Sequence, residues 1–203
     1  MQRGKRLIGM VLAVLLFLAA SADAAERVPL RVAQLPLKVE CGRGPSTAVL
    51  DSLENQVDQS LYVPLNGTLK AVEYIPEDEC LRALDEIVSA AGRRVKVKAV
   101  IKPLAEKLQA DLVVMPILTG YEQYTRMSFR WDRGMILHSY AAVQIVGYDR
   151  MQDEVFSKGA SRWFADEYSA AGEVSQLAWE AMDAALRDAA VHDRVGKWKT
   201  NVK

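Results

Sequence analysis

The segment LVVMPILTG, from Leu112 to Gly120, constrains the fold more than any other part of the chain. Its apolar run is almost continuous, whereas the residues after Gly120 begin to alternate between apolar and polar. A continuous apolar run is typical of a strand covered on both faces, and alternation is typical of a strand with one covered face. The segment therefore predicts a strand that starts in the covered centre of a sheet and ends at its edge.

Apolar spacing and turn signals predict the other elements, and prolines limit where they can lie. Pro29 and Pro36 indicate either that the first strand lies at an edge of the sheet or that the two prolines occupy irregular positions near its ends. Pro103 is expected in the first turn of a helix, where proline is tolerated. The predicted strands are residues 27–39, 69–75, 135–148 and 154–164, and the predicted helices are residues 47–61, 76–91, 103–108 and 170–190.

The resulting order is β-α-β-α-α-β-β-β-α, which predicts an α/β (α+β) fold. We expect a mixed sheet of about five strands with helices packed on it, the last three strands forming an antiparallel meander. No linker interrupts the chain, so residues 25–191 are expected to form a single α/β domain. Residues 192–203 are basic, show little apolar periodicity and are expected to be a flexible tail.

The amino terminus has the pattern of a signal peptide. Arg3, Lys5 and Arg6 precede an uncharged apolar run of 14 residues, and Ala22-Asp23-Ala24 has the small-x-small form of a cleavage site. A helix that spans a bilayer needs about 20 residues, so a retained membrane anchor is the weaker alternative. We expect residues 1–24 to be removed, leaving an exported protein of the periplasm or extracellular space with no integral membrane span.

The charge balance argues against a nucleic acid partner. Cleavage after Ala24 would remove three positive charges and one negative charge from a chain that has 26 of each, leaving a net charge of −2. Five positive charges lie within residues 93–102, and we interpret them as a solvated face.

Cys41 and Cys80 are the only two cysteines, and export would place them where disulfides persist. If a right-handed parallel crossover joins the first two strands, their carboxyl ends lie at one sheet edge, and each cysteine follows one of these ends. The pair is therefore a candidate disulfide closing a loop of about 40 residues, with a contribution on the order of 4 kcal/mol. Two unlinked thiols are the alternative.

Signatures of catalysis or metal binding are missing from the sequence. The only histidines are His138 and His192, and Ser139 would point to the opposite face of a strand from His138. No set of residues has zinc-ligand spacing, and no phosphate loop or dinucleotide fingerprint is present. The acidic residues 77–79 are explained by the start of a helix. We therefore predict no catalytic residue, no metal site and no cofactor.

Aromatic and arginine side chains mark the part of the chain that most favours binding. They give large contact area and planar hydrogen bonding, which is why they concentrate at interaction hot spots. The alternative is that half of the rings complete the core while the arginines stack on them in solvent. The candidate binding patch consists of Tyr121, Tyr124, Arg126, Trp131, Arg133, Arg162 and Trp163.

Several segments carry a resemblance to exported bacterial domains. The opening RVAQLPLKV, the later LAEKLQADLVVMPILTGY and the three strands before an alanine-rich helix resemble three groups of such domains. These are the amino-terminal domain of the Tol-system propeller protein, the periplasmic domain of the curli secretion channel, and the lipoprotein activators of cell-wall synthases. The segments VPLNGTLKAVEYIPEDE and YDRMQDEVFSKGASRWFADEYS look closer to uncharacterised exported bacterial proteins of similar length. The resemblance implies a non-enzymatic envelope domain that binds other proteins, but no lipid-attachment cysteine or pore-forming insertion is present.

Two functional hypotheses follow. The first is a non-enzymatic exported cell-envelope interaction domain, which binds another envelope protein or a second copy of itself through the candidate patch. The second is a small carboxylate-dependent hydrolase that acts on an envelope polymer. It requires two carboxyl groups within about 5 to 9.5 Å of each other, drawn from Glu122, Asp132, Asp166 and Glu167.

Overall fold

A computed structural model describes residues 28–42, 44–92, 96–128 and 134–197. The predicted signal peptide, residues 1–24, and residues 198–203 lie outside these ranges. None of the helices in the described ranges combines the length and the apolar character that a membrane span requires.

The centre of the fold is a mixed sheet of six strands in the order β3-β1-β4-β5-β6, with the short β2 also paired to β4. Strands β1, β2 and β3 are parallel to their neighbours, whereas β4, β5 and β6 form an antiparallel meander. The predicted mixed sheet is therefore confirmed, with β2 as an additional strand. The strands are β1 Leu30–Gln34, β2 Lys38–Val39, β3 Val72–Tyr74, β4 Leu112–Met127, β5 Met135–Asp149 and β6 Glu154–Glu167.

In the described ranges, six helices accompany the sheet, and a 3-10 turn at Ala170–Gly172 precedes the fifth. Each long helix has an apolar side that is buried against the sheet, as the apolar spacing in the sequence predicts. The helices are α1 Thr47–Leu61, α2 Asn66–Leu69, α3 Glu77–Ala91, α4 Val97–Leu108, α5 Val174–Asp188 and α6 Val191–Lys197.

Both faces of the sheet are covered where β4 begins. Leu112, Val114 and Leu118 pack into a core with α1, α5 and α6 on what we call the first face. Val113, Met115 and Ile117 pack with α3 and α4 on the second face. The continuous apolar run of β4 follows from this arrangement, because successive side chains of a strand enter opposite cores.

Helix α4 begins earlier than the sequence predicts. It starts at Val97, so Pro103 lies in the middle of the helix and not in its first turn. A proline there removes one backbone hydrogen bond of the helix. Val100, Ile101, Leu104, Ala105 and Leu108 are buried against the second face, and this burial offsets the loss.

The sequence predicted a flexible tail from residue 192 onwards, but the residues up to Lys197 are helical. Residues 191–197 form α6, and Val191 and Val195 are 0% and 2% exposed within the first-face core. A helix of seven residues is too short to show a convincing apolar period in a sequence, so the expectation failed there.

No disulfide joins Cys41 and Cys80. Strands β1 and β3 are indeed parallel neighbours, as the prediction required. However, the chain leaves β1 through β2 along β4, and Cys41 packs against the first-face core, whereas Cys80 is buried in the second-face core. The sheet lies between the two thiols, so the predicted disulfide is wrong for this structure.

Candidate functional site

Beyond the covered part of β4, the meander continues with one face exposed. The register between β4 and β5 shifts between Leu118 and Gly120, which marks a β-bulge. Past this point the first face is still packed, and buried Ser139 lies on it. The second face carries large exposed side chains: Trp163 is 70% exposed, Tyr124 58% and Tyr140 41%.

The strand register places these side chains in two adjacent rows. Tyr140 pairs with Trp163 on β6, and Tyr124 on β4 pairs with His138 on β5. Residues directly opposite each other in an antiparallel pair share a face, as do residues two apart on one strand. We call the surface formed by Tyr124, His138, Tyr140 and Trp163 the open face.

Three of the four rings on the open face contact neighbouring residues of the sheet. The rings of Tyr124 and His138 stack with centroids 5.0 Å apart and planes inclined by 8°. The ring of Tyr140 lies over Gly120, where an added Cβ would approach it to 2.6 Å. Gly120 therefore leaves the space that the Tyr140 ring occupies beside β4.

Charged side chains lie at the margins of the open face. Glu122 shares the row of Tyr140, and Arg126 and Glu167 flank Ile136 in the next row beyond Tyr124. All three charged residues are exposed. The surface thus has an aromatic centre and a rim with charges of both signs.

The predicted binding patch is divided between the two faces. Tyr124, Arg126 and Trp163 lie on the second face, as described above. Tyr121 and Arg162 flank buried Ala141 and therefore point to the first face. Trp131 and Arg133 lie outside the described residues.

On the first face, Tyr121 contacts the core and Arg162 lies near a glutamate of α5. Tyr121 packs against the first-face core, and burial followed by the charge of Glu173 raises its pKa. The guanidinium Nε of Arg162 is 3.9 Å from Glu180 Oε2 on α5. These contacts fit the alternative in which part of the patch completes the core.

Two members of the open face, His138 and Tyr140, were missed by the sequence prediction. Their spacing of two within a predicted strand indicates a shared face, but only the strand register shows that this face also carries Tyr124 and Trp163.

The structure does not bring together the three described carboxylates proposed for hydrolysis. Asp166 pairs with buried Leu137 and lies on the first face, whereas Glu122 lies on the second face. Glu122 and Glu167 share a face, but they are separated by four residues along β5 and by two strand spacings. Standard strand dimensions put their Cα atoms about 16 Å apart. Asp132 lies outside the described residues.

The serine and the histidine considered for nucleophilic catalysis also lie on opposite faces of the sheet. Ser139 is buried on the first face, while His138 stacks on Tyr124 on the second face. Among the described residues, no group of three or more His, Cys, Asp or Glu side chains could hold a metal ion.

Comparison with known proteins gives only distant similarities. No protein-family model and no curated protein matches the chain. The PelC dodecamer structure from Paraburkholderia phytofirmans is similar over 81% of this chain and 88% of that one, with 12% identity and a TM-score of 0.41.

Two further structures show a similar degree of similarity. Lipoprotein GNA1162 from Neisseria meningitidis is 14% identical over 80% of this chain and 99% of its own, with a TM-score of 0.38. The C-terminal domain of LpoB from Salmonella enterica is 10% identical over 71% of this chain and 90% of its own, with a TM-score of 0.36. Lipoproteins are thus among the structures to which the chain is similar, in partial agreement with the sequence resemblance. We base no functional argument on similarities of this size.

Proposed function

We propose that this protein is a non-enzymatic exported domain of the cell envelope that binds another protein through its open face. The observation that carries the proposal is that the exposed side chains of Tyr124, Tyr140 and Trp163 lie in two adjacent rows on one face of a sheet whose other face is packed. Export follows from the pattern of residues 1–24, and we propose the periplasm or the extracellular space as its location.

The exposed aromatic area favours a binding role. Trp163, Tyr124 and Tyr140 are large side chains that contact with a partner would remove from water, and burial of apolar area is favourable by about 25 cal/mol per Å². Exposed aromatic clusters with a polar rim are typical of protein interaction sites.

The rigidity of the open face also favours binding. The Tyr124–His138 stack and the support of Tyr140 by Gly120 fix three of the four rings before a partner arrives. Association then costs less side-chain entropy, which is about 0.5–1.5 kcal/mol for each side chain that must be ordered.

The rim charges favour a protein partner over a nucleic acid or an anionic lipid surface. Among the residues that the structure describes, Glu122, Arg126 and Glu167 give the rim one positive and two negative charges, a balance that does not favour phosphates. The hydrolase alternative is not favoured by the positions of Glu122, Asp166 and Glu167, which lie on opposite faces of the sheet or about 16 Å apart.

Photocrosslinking from within the open face tests the proposal. The full-length chain, with its signal peptide, is produced in a bacterial host with p-benzoylphenylalanine in place of Trp163 or of Tyr124, and the cells are irradiated. We expect a discrete adduct from both positions. An adduct of twice the chain mass identifies a second copy as the partner, and any other mass identifies a different envelope protein.

The matched control places the crosslinker at Trp179, which is 44% exposed on α5 and belongs to another surface. It should give no adduct, and Tyr140→Ala should abolish the adduct formed from position 163. If neither open-face position forms an adduct, or if position 179 forms the same one, the open face is not the binding surface.

A further inference from the structure

A concave surface lies away from the open face, where the parallel strands β1 and β3 end. A cavity of about 450 Å³ opens there between Gln34 of β1, Tyr74 of β3, the end of α1 and the start of α3. In α/β sheets, ligands most often bind outside the carboxyl ends of the parallel strands. The volume is within the range of small-molecule sites, so the cavity can admit a small ligand or one long side chain.

The lining of this cavity is strongly negative. Its charged lining residues are Glu54, Asp58 and Glu77, and the described lining includes no lysine, arginine or histidine. Helix α1 ends at Leu61 beside the cavity, and the carboxyl end of a helix carries a partial negative charge. The start of α3 adds a partial positive charge, but three full negative charges outweigh it, so a cation is favoured over an anion.

Two tyrosines complete the wall. Tyr62 is 61% exposed and Tyr74 is 43% exposed, so both can present their rings to a ligand. Aromatic faces attract organic cations through the negative charge of the ring faces. Carboxylates with aromatic faces are the usual surroundings of a bound ammonium group.

Hydrogen bonds hold these wall residues in place. Gln34 Nε2 donates to Asp58 Oδ1, and the Leu37 N–H donates to Glu54 Oε1 over 3.1 Å. The Tyr74 hydroxyl donates to the Leu61 carbonyl oxygen over 2.8 Å. Asp58 Oδ2 and Glu54 Oε2 are not used by these bonds and can accept from a ligand.

The electrostatic environment of Tyr74 shows that the wall residues are close together. Burial raises the pKa of Tyr74, and the charge of Asp58 and the nearby Tyr62 raise it further. Asp58 and Tyr62 are also four residues apart at the end of α1, which places them on one side of that helix. One carboxylate and two phenol rings therefore face the same space.

We propose that this cavity binds an organic ammonium group, as carried by a polyamine or by a lysine side chain. An organic cation fits better than a metal ion, because no described cluster of acidic side chains has the convergence that a metal requires. The carboxylates would accept its N–H hydrogen bonds while the tyrosine rings contact its methylene groups.

Titration calorimetry of the mature protein at low ionic strength tests this proposal with three probes: spermidine, Nα-acetyl-lysine methylamide and Mg²⁺. We expect both amines to bind at one site and Mg²⁺ to bind at least tenfold more weakly than spermidine. Whichever amine binds more tightly identifies the source of the ammonium group, a free polyamine or a lysine side chain.

Conservative variants locate the site. The double variant Glu54→Gln and Asp58→Asn keeps the shape of both side chains, and we expect it to weaken spermidine binding at least tenfold. Asp85→Asn, an exposed change on α3 outside this cavity, is the matched charge control and should change the affinity less than twofold.

Three outcomes overturn the proposal: neither amine binds, Mg²⁺ binds as tightly as spermidine, or Asp85→Asn weakens binding as much as the double variant. Each leaves the crosslinking result from the open face unaffected, because the two sites share no residue.

Discussion

The guanidinium Nη1 of Arg194 lies 2.8 Å from Asp149 Oδ2, and both side chains are about nine-tenths buried. Arg194 also donates to the Ala189 carbonyl oxygen and lies 4.2 Å from the centroid of the Phe156 ring. Through Asp149 and Phe156, this side chain joins α6 to the β5–β6 hairpin.

Loss of Arg194 should therefore be costly. Arg194→Ala leaves the buried carboxylate of Asp149 without its cation and removes the contact with Phe156. We expect the free energy of unfolding to fall by about 3 kcal/mol in urea denaturation followed by circular dichroism. Arg187→Ala is the control, because the Arg187–Asp183 pair is exposed and should contribute less than about 0.5 kcal/mol. Equal losses in the two variants would mean that the Arg194 pair does not stabilise the fold.

Gly147 should not tolerate a side chain. A Cβ at this position would lie 2.2 Å from the Phe156 ring and 2.4 Å from the Val113 carbonyl oxygen, and the backbone atom cannot move aside cheaply. We expect Gly147→Ala to lower the free energy of unfolding by about 3 kcal/mol in thermal denaturation. Gly196→Ala is the matched control: nothing lies within 4 Å of its Cβ, and alanine favours a helix, so stability should be unchanged or higher by up to about 1 kcal/mol. A stable Gly147→Ala protein would contradict the close packing of β5 on β4.

Gln123 caps a helix from a neighbouring strand. Its Oε1 accepts from the Val174 N–H over 2.7 Å, and its Nε2 donates to Glu173 Oε2 over 3.0 Å. Glu173 makes no side-chain capping bond itself, so Gln123 satisfies an N–H that helix geometry leaves unpaired. We expect Gln123→Ala to cost about 1 kcal/mol and to accelerate hydrogen exchange at Val174, measured by NMR.

The control for the capping role is Gln176→Ala, which removes only an exposed bond to Glu180 within α5. It should leave both the stability and the Val174 exchange rate within error. If Gln123→Ala also leaves that rate unchanged, the cap does not protect the start of α5.

The two cysteines should differ in reactivity. Cys80 is fully buried, and burial, with smaller contributions from Glu79 and its acidic neighbours, raises its pKa to about 11. Cys41 is half-buried. At pH 8, we expect iodoacetamide to add one group to the folded protein, at Cys41, and two in denaturant. The intact mass should be the same with and without reductant; an increase of two hydrogens on reduction would show a disulfide.

The raised pKa of Cys80 also predicts a pH dependence of stability. The unfolded state releases this proton at a lower pH than the folded state. Its contribution is therefore complete below about pH 9 and is lost as the pH rises towards 11. We expect the free energy of unfolding of the native protein to fall more steeply over this range than that of Cys80→Ala. Parallel curves would show that the thiol has the same pKa in both states.

The parts of the fold that the sequence predicted are those with long, regular patterns. The apolar run of β4 predicted a central strand, because both faces of that strand had to be apolar. The 15-residue helices were predicted from apolar spacing. Strand β2, with two residues, and helix α6, with seven, were too short to give a periodic signal.

The candidate site was predicted only in part, and strand alternation explains why. Arg162 and Trp163 are consecutive on β6, and Tyr121 and Tyr124 are three apart on β4, so each pair must split between opposite faces. This information was present in the sequence, but grouping the residues by chemistry concealed it. In contrast, the contact between Tyr124 and His138 depends on the register of β4 with β5, which no local pattern reveals.

The connectivity of the sheet also sets an order of assembly. Strands β4, β5 and β6 follow one another along the chain, so their pairing needs only short loop closures, whereas residues 31 and 111, which join β1 to β4, are 80 positions apart. Local pairings form sooner than distant ones, so we expect the meander to form first and β1, with β3, to add to its edge later. Strands β1 and β3 are synthesised before the meander but would join it last. The apolar start of β4 would stay exposed to solvent until β1 pairs with it.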